Sequence, residues 1–360
     1  MDKHGWSYGG RRLDLLEKTA ITPELLRLIA EVDEFKGRWD ALGNLAPERL
    51  SALKRIATIE SVGSSTRIEG VKLSDGEVER LLSGLDLRSF RSRDEQEVAG
   101  YGELMELIFE SFADIPLTEN TIGQLYGILL KHSTKDERHR GSYKTLSNNV
   151  EAFDADGRSV GIVFETATPF DTPRLMQELV ASTDASFAER AHHRLLVIAV
   201  FVVRFLAIHP FQDGNGRLSR ALTTLLLLRA GYRYVPYSSL ERIVEDSKED
   251  YYRSLRRAQA SLDQSPSHLI EWLTFFVRSL HRQKEVLERK VERERLMNPL
   301  SPLSEKLLGI VNEHGRVTVR EAAAITRANR NTIKDHLGKL VAAGALARRG
   351  RGRGTWYEKA

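Results

Sequence analysis

His209-Pro210-Phe211-Gln212-Asp213-Gly214-Asn215-Gly216-Arg217-Leu218-Ser219-Arg220 interrupts the most apolar part of the chain. Before it, Leu195 to Ile208 is a 14-residue run in which Arg204 is the sole charge. After it, Leu218 to Ala230 is again strongly apolar. Both runs have the length of buried helices, and the first is too short to span a bilayer. A polar, glycine-rich loop pinned between two buried helices is held rigidly, as a site requires. Gly214 and Gly216 permit positive φ and close backbone approach, so successive N–H groups can converge on an anion at the start of the next helix. Arg217 and Arg220 share a helix face. Cations are disfavoured in a first turn, so their placement points to a multiply charged anion in front of them, such as a polyphosphate. Asp213 is a hard oxygen ligand suited to Mg²⁺. His209 is the one group of the loop that exchanges a proton near neutral pH.

Outward from the loop the pattern stays helical. Thr22-Pro23-Glu24 reads as a helix start, with Thr as N-cap and Pro in the first turn. Pro47 to Ile68 reads as a helix with Leu50, Leu53, Ile56 and Ile59 on one face. Ser74 and Glu77 form a capping box, and helices are expected over Val98–Phe112, Thr118–Leu130 and from Thr172-Pro173. Residues 138–170 break the pattern: two short extended runs around Asp154-Ala155-Asp156-Gly157 predict a β-hairpin. The segment from Glu271 to Leu296 turns very charged after His281 and leads to Asn298-Pro-Leu-Ser-Pro302, a linker.

Composition narrows the chemistry. The chain has 360 residues, 41% hydrophobic and 29% charged, an ordinary globular balance. It has no cysteine, which excludes disulfides, thiolate catalysis and Cys-ligated metals. The first residues, MDKHGWSYGG, lack the apolar core of a signal peptide, so a cytoplasmic protein without membrane spans is expected. Residues 301–360 hold four Lys and eight Arg against four Glu and one Asp, so this tail is more basic than the whole chain with its net +4. A basic module attracts polyanions. The loop is not a Rossmann fingerprint, because Ser219 stands where a third Gly or Ala is needed. No P-loop and no HExxH occurs.

HPFQDGNGRLSR is identical at every fixed position to the Fic motif, HPFx[D/E]GNGRxxR, and the chain resembles that family over about residues 50–260. The resemblance implies a helical enzyme that transfers AMP from ATP to a protein hydroxyl and releases pyrophosphate. It implies that His209 is the general base and that Asp213 holds Mg²⁺. Gly214, Asn215 and Gly216 would form the anion hole, Arg217 would contact the β-phosphate and Arg220 the γ-phosphate. Phe211 would anchor the loop. Ser65, Glu69 and Gly70 match the family's inhibitory motif, [S/T]xxxE[G/N], which implies that Glu69 competes with the γ-phosphate for Arg220. The same glutamate serves some members in removal of AMP. The hairpin near 147–168 falls where the family carries a flap that pairs with the target segment. The family often has Gly-x-[Phe/Tyr]-Arg before the flap; here it is Gly141-Ser142-Tyr143-Lys144, and Lys cannot reproduce a bidentate Arg contact. Tyr251, Tyr252 and Leu255 read as helix packing rather than adenine contacts.

Residues 304–360 read as a winged helix-turn-helix. Thr318 and Glu321 make a capping box. Arg330 to Ala342 is a recognition-helix candidate, with Ile333, Leu337, Leu340 and Val341 inward and Arg330, Asn331 and Lys334 outward. Arg348, Arg349, Arg351 and Arg353 form a basic wing tip suited to DNA phosphates. The expected class is therefore mainly α: a Fic-type helical domain with a β-hairpin flap, plus a small C-terminal winged helix-turn-helix domain. The expected units are an N-terminal helical region with the inhibitory helix at 1–110, a catalytic core at 111–297, a linker at 298–303 and the winged unit at 304–360. ATP and Mg²⁺ are the expected cofactors. A protein hydroxyl is the expected substrate, DNA is a second partner of the tail, and a homodimer is left open. The alternatives are a DNA-binding regulator whose Fic domain senses nucleotide, or an enzyme that removes AMP.

Overall fold

Thr22 caps the first long helix as its sequence predicts, its Oγ1 accepting the Leu25 N–H at 3.2 Å. The computed structural model describes residues 14–41, 47–83, 90, 92–135, 137–153, 159–262, 268–297, 301–342 and 345–360. Four helices come first: α1 (Asp14–Glu17), α2 (Pro23–Ala41), α3 (Pro47–Ile68) and α4 (Asp75–Ser83). α5 (Arg93–Ser111) and α6 (Glu119–Leu129) precede the strands β1 (Val150–Phe153) and β2 (Ser159–Phe164). Then come α7 (Thr172–Glu189), α8 (Arg194–Ile208), α9 (Asn215–Arg229), α10 (Leu240–Asp246), α11 (Lys248–Ser261) and α12 (Leu269–Met297). The protein is mainly helical.

α8 is the axis of the body. Every residue from Leu195 to Ile208 is buried, and α7, α9, α11 and α12 pack around it. A helix apolar on all sides has no other stable place. Trp272 of α12 ties in by donating its Nε1–H to Ala199 O at 2.8 Å. One continuous core runs from Leu16 to Val291. Among the described residues, no helix is long and apolar enough to cross a membrane.

The stripe expected along α3 is drawn differently. Leu53 and Ala57 are buried, whereas Ile56 is 49% exposed. Residues three apart fall about 60° behind the helical turn at each step, so a run of threes drifts off the buried face. Further along α3, Ser61, Val62, Ser64, Ser65, Thr66 and Ile68 are all buried. Ser74 and Glu77 do cap α4 reciprocally, and α3 is followed by Gly70 at φ 103°.

β1 and β2 pair antiparallel, from Val150 opposite Phe164 to Phe153 opposite Ser159. The Asp154–Gly157 turn read from the sequence falls within residues 154–158, outside the described residues. So does Asn298 to Leu300 of the linker. α13 (Pro302–His314) starts at Pro302 behind the N-cap Ser301, two residues before the expected boundary. It is followed by β3 (Arg316–Val317), α14 (Val319–Thr326), α15 (Arg330–Ala342), β4 (Leu346–Arg349) and β5 (Trp356–Lys359). The three strands form a sheet in the order β3-β5-β4. This segment has its own core, with Leu307, Val311, Ile333, Leu337 and Leu340 buried. The capping box of Thr318 and Glu321 is formed on both sides. Val341, expected inward with Ile333, Leu337 and Leu340, packs on this core only partly buried.

Candidate active site

α8 ends because His209 turns left-handed, at φ 53°, with its N–H donating to Phe205 O at 2.9 Å. That conformation costs a non-glycine residue about 1–3 kcal/mol and needs support from its surroundings. Phe211 supplies part of it: the ring is fully buried and stacks on Tyr126 with centroids 3.9 Å apart. Asn215 supplies more. Its Oδ1 accepts the Phe211 N–H at 2.9 Å and its Nδ2 donates to Phe211 O at 2.6 Å. The Asn215 side chain is thus a staple of the loop, and only its backbone is placed to meet an anion. Gly214, at φ 76°, is the N-cap of α9, which puts Asn215 and Gly216 in the first turn. The N–H groups there have no partner within the helix.

A cavity of about 340 Å³ opens over this loop. His209, Asp213, Gly216, Arg220, Glu69 and Tyr252 are on its wall. Arg220 is buried and heavily engaged: Nε donates to Ser65 Oγ at 2.8 Å, and Nη2 donates to Ser65 O at 2.9 Å and to Glu69 Oε1 at 2.8 Å. A Cβ added at Gly216 would overlap the Glu69 carboxylate. Glu69 therefore lies directly on the first turn of α9, on the backbone that would receive a phosphate. The end of α3 that carries it is clamped to α10. Arg67 donates to both Glu245 oxygens, at 2.7 and 3.0 Å, and pairs with Asp75 at 3.0 Å.

Arg217 is placed differently from the expectation. It is 2% exposed, pairs through Nη1 with Glu97 of α5 at 2.7 Å, and does not line the cavity. Its Nε has no hydrogen-bond partner among the described residues. Asp213 is half-exposed at the rim, with Oδ2 accepting from Arg93 at 3.0 Å and Oδ1 accepting the Gly214 N–H at 2.5 Å. No cluster of three metal-ligating side chains occurs among the described residues. One rim carboxylate fits a magnesium ion that keeps waters and phosphate oxygens for its other positions, provided Arg93 moves off. Glu97 and Arg93 escaped the sequence reading because RDEQEV is an ordinary charged helix start with no motif.

The imidazole of His209 is suited to accept a proton. Nδ1–H donates to Leu206 O at 3.3 Å, which leaves Nε2 with its lone pair. Burial, and then the nearby Lys144 cation, push its pKa down to about 4. The neutral form therefore persists through the physiological range. The unfolded chain binds a proton at this histidine below about pH 6.5, while the folded one does so only near pH 4. We expect nitrogen NMR to show His209 neutral at pH 5.5, with its contribution to stability lost as pH falls through that window. A His209 that titrates at or above its ordinary value contradicts this environment.

Tyr251 is buried against Trp272, as packing on a helix predicts. Leu255 is buried in the core as well, Tyr252 is partly buried, and all three line the cavity beside Arg256. In the C-terminal segment Arg330, Asn331, Lys334, Arg348 and Arg351 are exposed, Arg349 is exposed but pairs with Glu358 at 2.8 Å, and the Arg353 side chain is outside the described residues.

Fold and loop together define a helical protein with a polar, glycine-containing turn and an open helix N-terminus between two buried helices. Residues 116–227 match the model of the Fic/DOC family. It is similar to the protein adenylyltransferase Fic of Drosophila mojavensis, 26% identical over 246 residues, which is 67% of this chain and 45% of that one. The corresponding protein of Drosophila sechellia is 27% identical over 211 residues, 58% of this chain and 39% of that one. The chain thus spans under half the length of these relatives. Among solved structures it resembles a Fic family protein from Desulfovibrio desulfuricans, with a TM-score of 0.59 and 23% identity over 95% of this chain and 98% of that one. A Fic domain containing signaling protein from Bacteroides thetaiotaomicron gives a TM-score of 0.59 and 24% identity, covering 73% and 97%. These likenesses establish the fold.

Proposed function

We propose that the chain is a protein adenylyltransferase that moves AMP from ATP to a hydroxyl of a target protein, and that Glu69 holds it back. The observation that carries this reading is the Glu69–Arg220 pair at 2.8 Å, set over Gly216 in the cavity that His209 and Asp213 also line. A carboxylate and a phosphate compete for the same guanidinium. With Glu69 in place, the terminal phosphate loses its partner on Arg220. With Glu69 withdrawn, Arg220 and the first turn of α9 face the polyphosphate.

In the transfer, His209 Nε2 takes the proton of the target hydroxyl as its oxygen attacks the α-phosphorus. The bond from that phosphorus to the bridging oxygen breaks, and pyrophosphate leaves. Asp213 would hold Mg²⁺, which would supply charge neutralisation on the phosphates when bound. The β1–β2 hairpin offers backbone for a target segment to add as a strand. Incubating Glu69→Gly protein with α-labelled ATP, Mg²⁺ and cell lysate should leave label on protein. An unlabelled lysate would refute transferase activity.

The exposed cations on α15 and β4 favour a further role for the tail as a winged-helix DNA-binding unit. If about four phosphates are contacted, affinity of the full chain for duplex DNA should fall about 100-fold from roughly 50 to 200 mM salt. No binding even at low salt would remove this role.

A further inference from the structure

Four consecutive carbonyls of the segment that carries His209 are held by two neighbouring side chains and one amide. Ile208 O accepts from Lys144 Nζ at 3.0 Å, and Pro210 O accepts the Lys144 N–H at 2.9 Å. Asn148 Nδ2 donates to His209 O at 3.3 Å and to Phe211 O at 2.6 Å. Lys144 Nζ also donates to Asn148 Oδ1 at 2.8 Å and to Thr166 Oγ1 at 3.0 Å. The two ends of the hairpin are joined to one another where Thr166 N–H donates to Asn149 Oδ1 at 3.1 Å.

Lys144 is 3% exposed, and no carboxylate pairs with it among the described residues. A buried ammonium without a counter-ion is costly. Its three protons go to three neutral oxygens instead, one from each of the elements that must agree: the segment after Tyr143, the far end of the hairpin and the last turn before His209. Burial lowers its pKa to about 8, so it is still largely charged at neutral pH. Its cation also lowers the His209 pKa, against the raising influence of the Glu69 and Asp213 carboxylates.

We infer that Lys144, with Asn148 and Thr166, is a positioning unit for catalysis: it fixes the strained backbone at His209 and locks the target-binding hairpin to the same frame. It touches no reacting atom. It acts by setting where Nε2 stands relative to a hydroxyl presented by the hairpin. The inference rests on the proposed transferase reading.

The test uses the full chain in the Glu69→Gly background, where a rate is measurable. Lys144→Met keeps length and removes the ammonium. It should lower kcat about 100-fold, the effect of misplacing a reacting group by about an ångström, while KM for ATP changes little. Lys144→Arg should restore most of kcat, because a cation with several donors can reach the same oxygens. Thr166→Val removes, at constant shape, the hydroxyl that accepts from Lys144 and donates to Asn148 Oδ1 at 3.0 Å, and should lower kcat about 10-fold. If Lys144→Met does not fold, Thr166→Val decides by the same split. The inference is overturned if the folded variants keep kcat within twofold of the parent, or if KM for ATP rises as much as kcat falls. An inactive Glu69→Gly parent would instead count against the transferase reading itself.

Discussion

Glu69→Gly should raise the rate of AMP transfer about 10- to 100-fold. The substitution removes a single charge-assisted contact, Glu69 Oε1 on Arg220 Nη2 at 2.8 Å, from a guanidinium that is buried. Such contacts are worth about 1.5–3 kcal/mol, and each 1.4 kcal/mol is a factor of ten in an equilibrium. The Ser65 contacts remain, so Arg220 keeps its orientation. Glu69→Gln, which keeps an acceptor oxygen but no charge, should fall between parent and Glu69→Gly. Steady-state labelling with α-labelled ATP reads all three. Equal rates in parent and Glu69→Gly would leave the pair at 2.8 Å without a regulatory role.

His209→Ala in the Glu69→Gly background should cut transfer by about 10²- to 10⁴-fold, the usual contribution of a positioned general base. ATP binding should survive, because in the proposed mode the phosphates are held by Arg220 and the first turn of α9. The fold should survive too. His209 is only partly buried, and the loop stays stapled by Phe211 and Asn215. Calorimetric titration with ATP separates the two effects. Loss of binding together with transfer would show that His209 shapes the cavity rather than taking a proton.

Much of this was legible in the sequence. The 209–220 segment is legible as a tight turn between two buried helices because its residue types are dictated locally: glycines for close approach, a cap for the helix, apolar runs on both sides. The ends of α2, α3 and α4 follow from Thr22, Gly70 and the Ser74–Glu77 box in the same way. What was not legible depends on long-range packing. Arg217 points to Glu97, 120 residues earlier in sequence, and no local pattern encodes that meeting. Lys144 looked like a weakened arginine; its burial among carbonyls of a loop more than 60 residues away makes it a support instead. Ile56 was misplaced because a run of threes drifts off the buried face within two turns.

Intact-mass spectrometry after incubation with ATP and Mg²⁺ tests the central claim most directly, on parent, Glu69→Gly and Glu69→Gly/His209→Ala protein. An adenylyl adduct, on the chain itself or on a co-purifying protein, is expected with Glu69→Gly and should be nearly absent from the other two. Equal adduct with and without His209, or none with Glu69→Gly, would contradict the account.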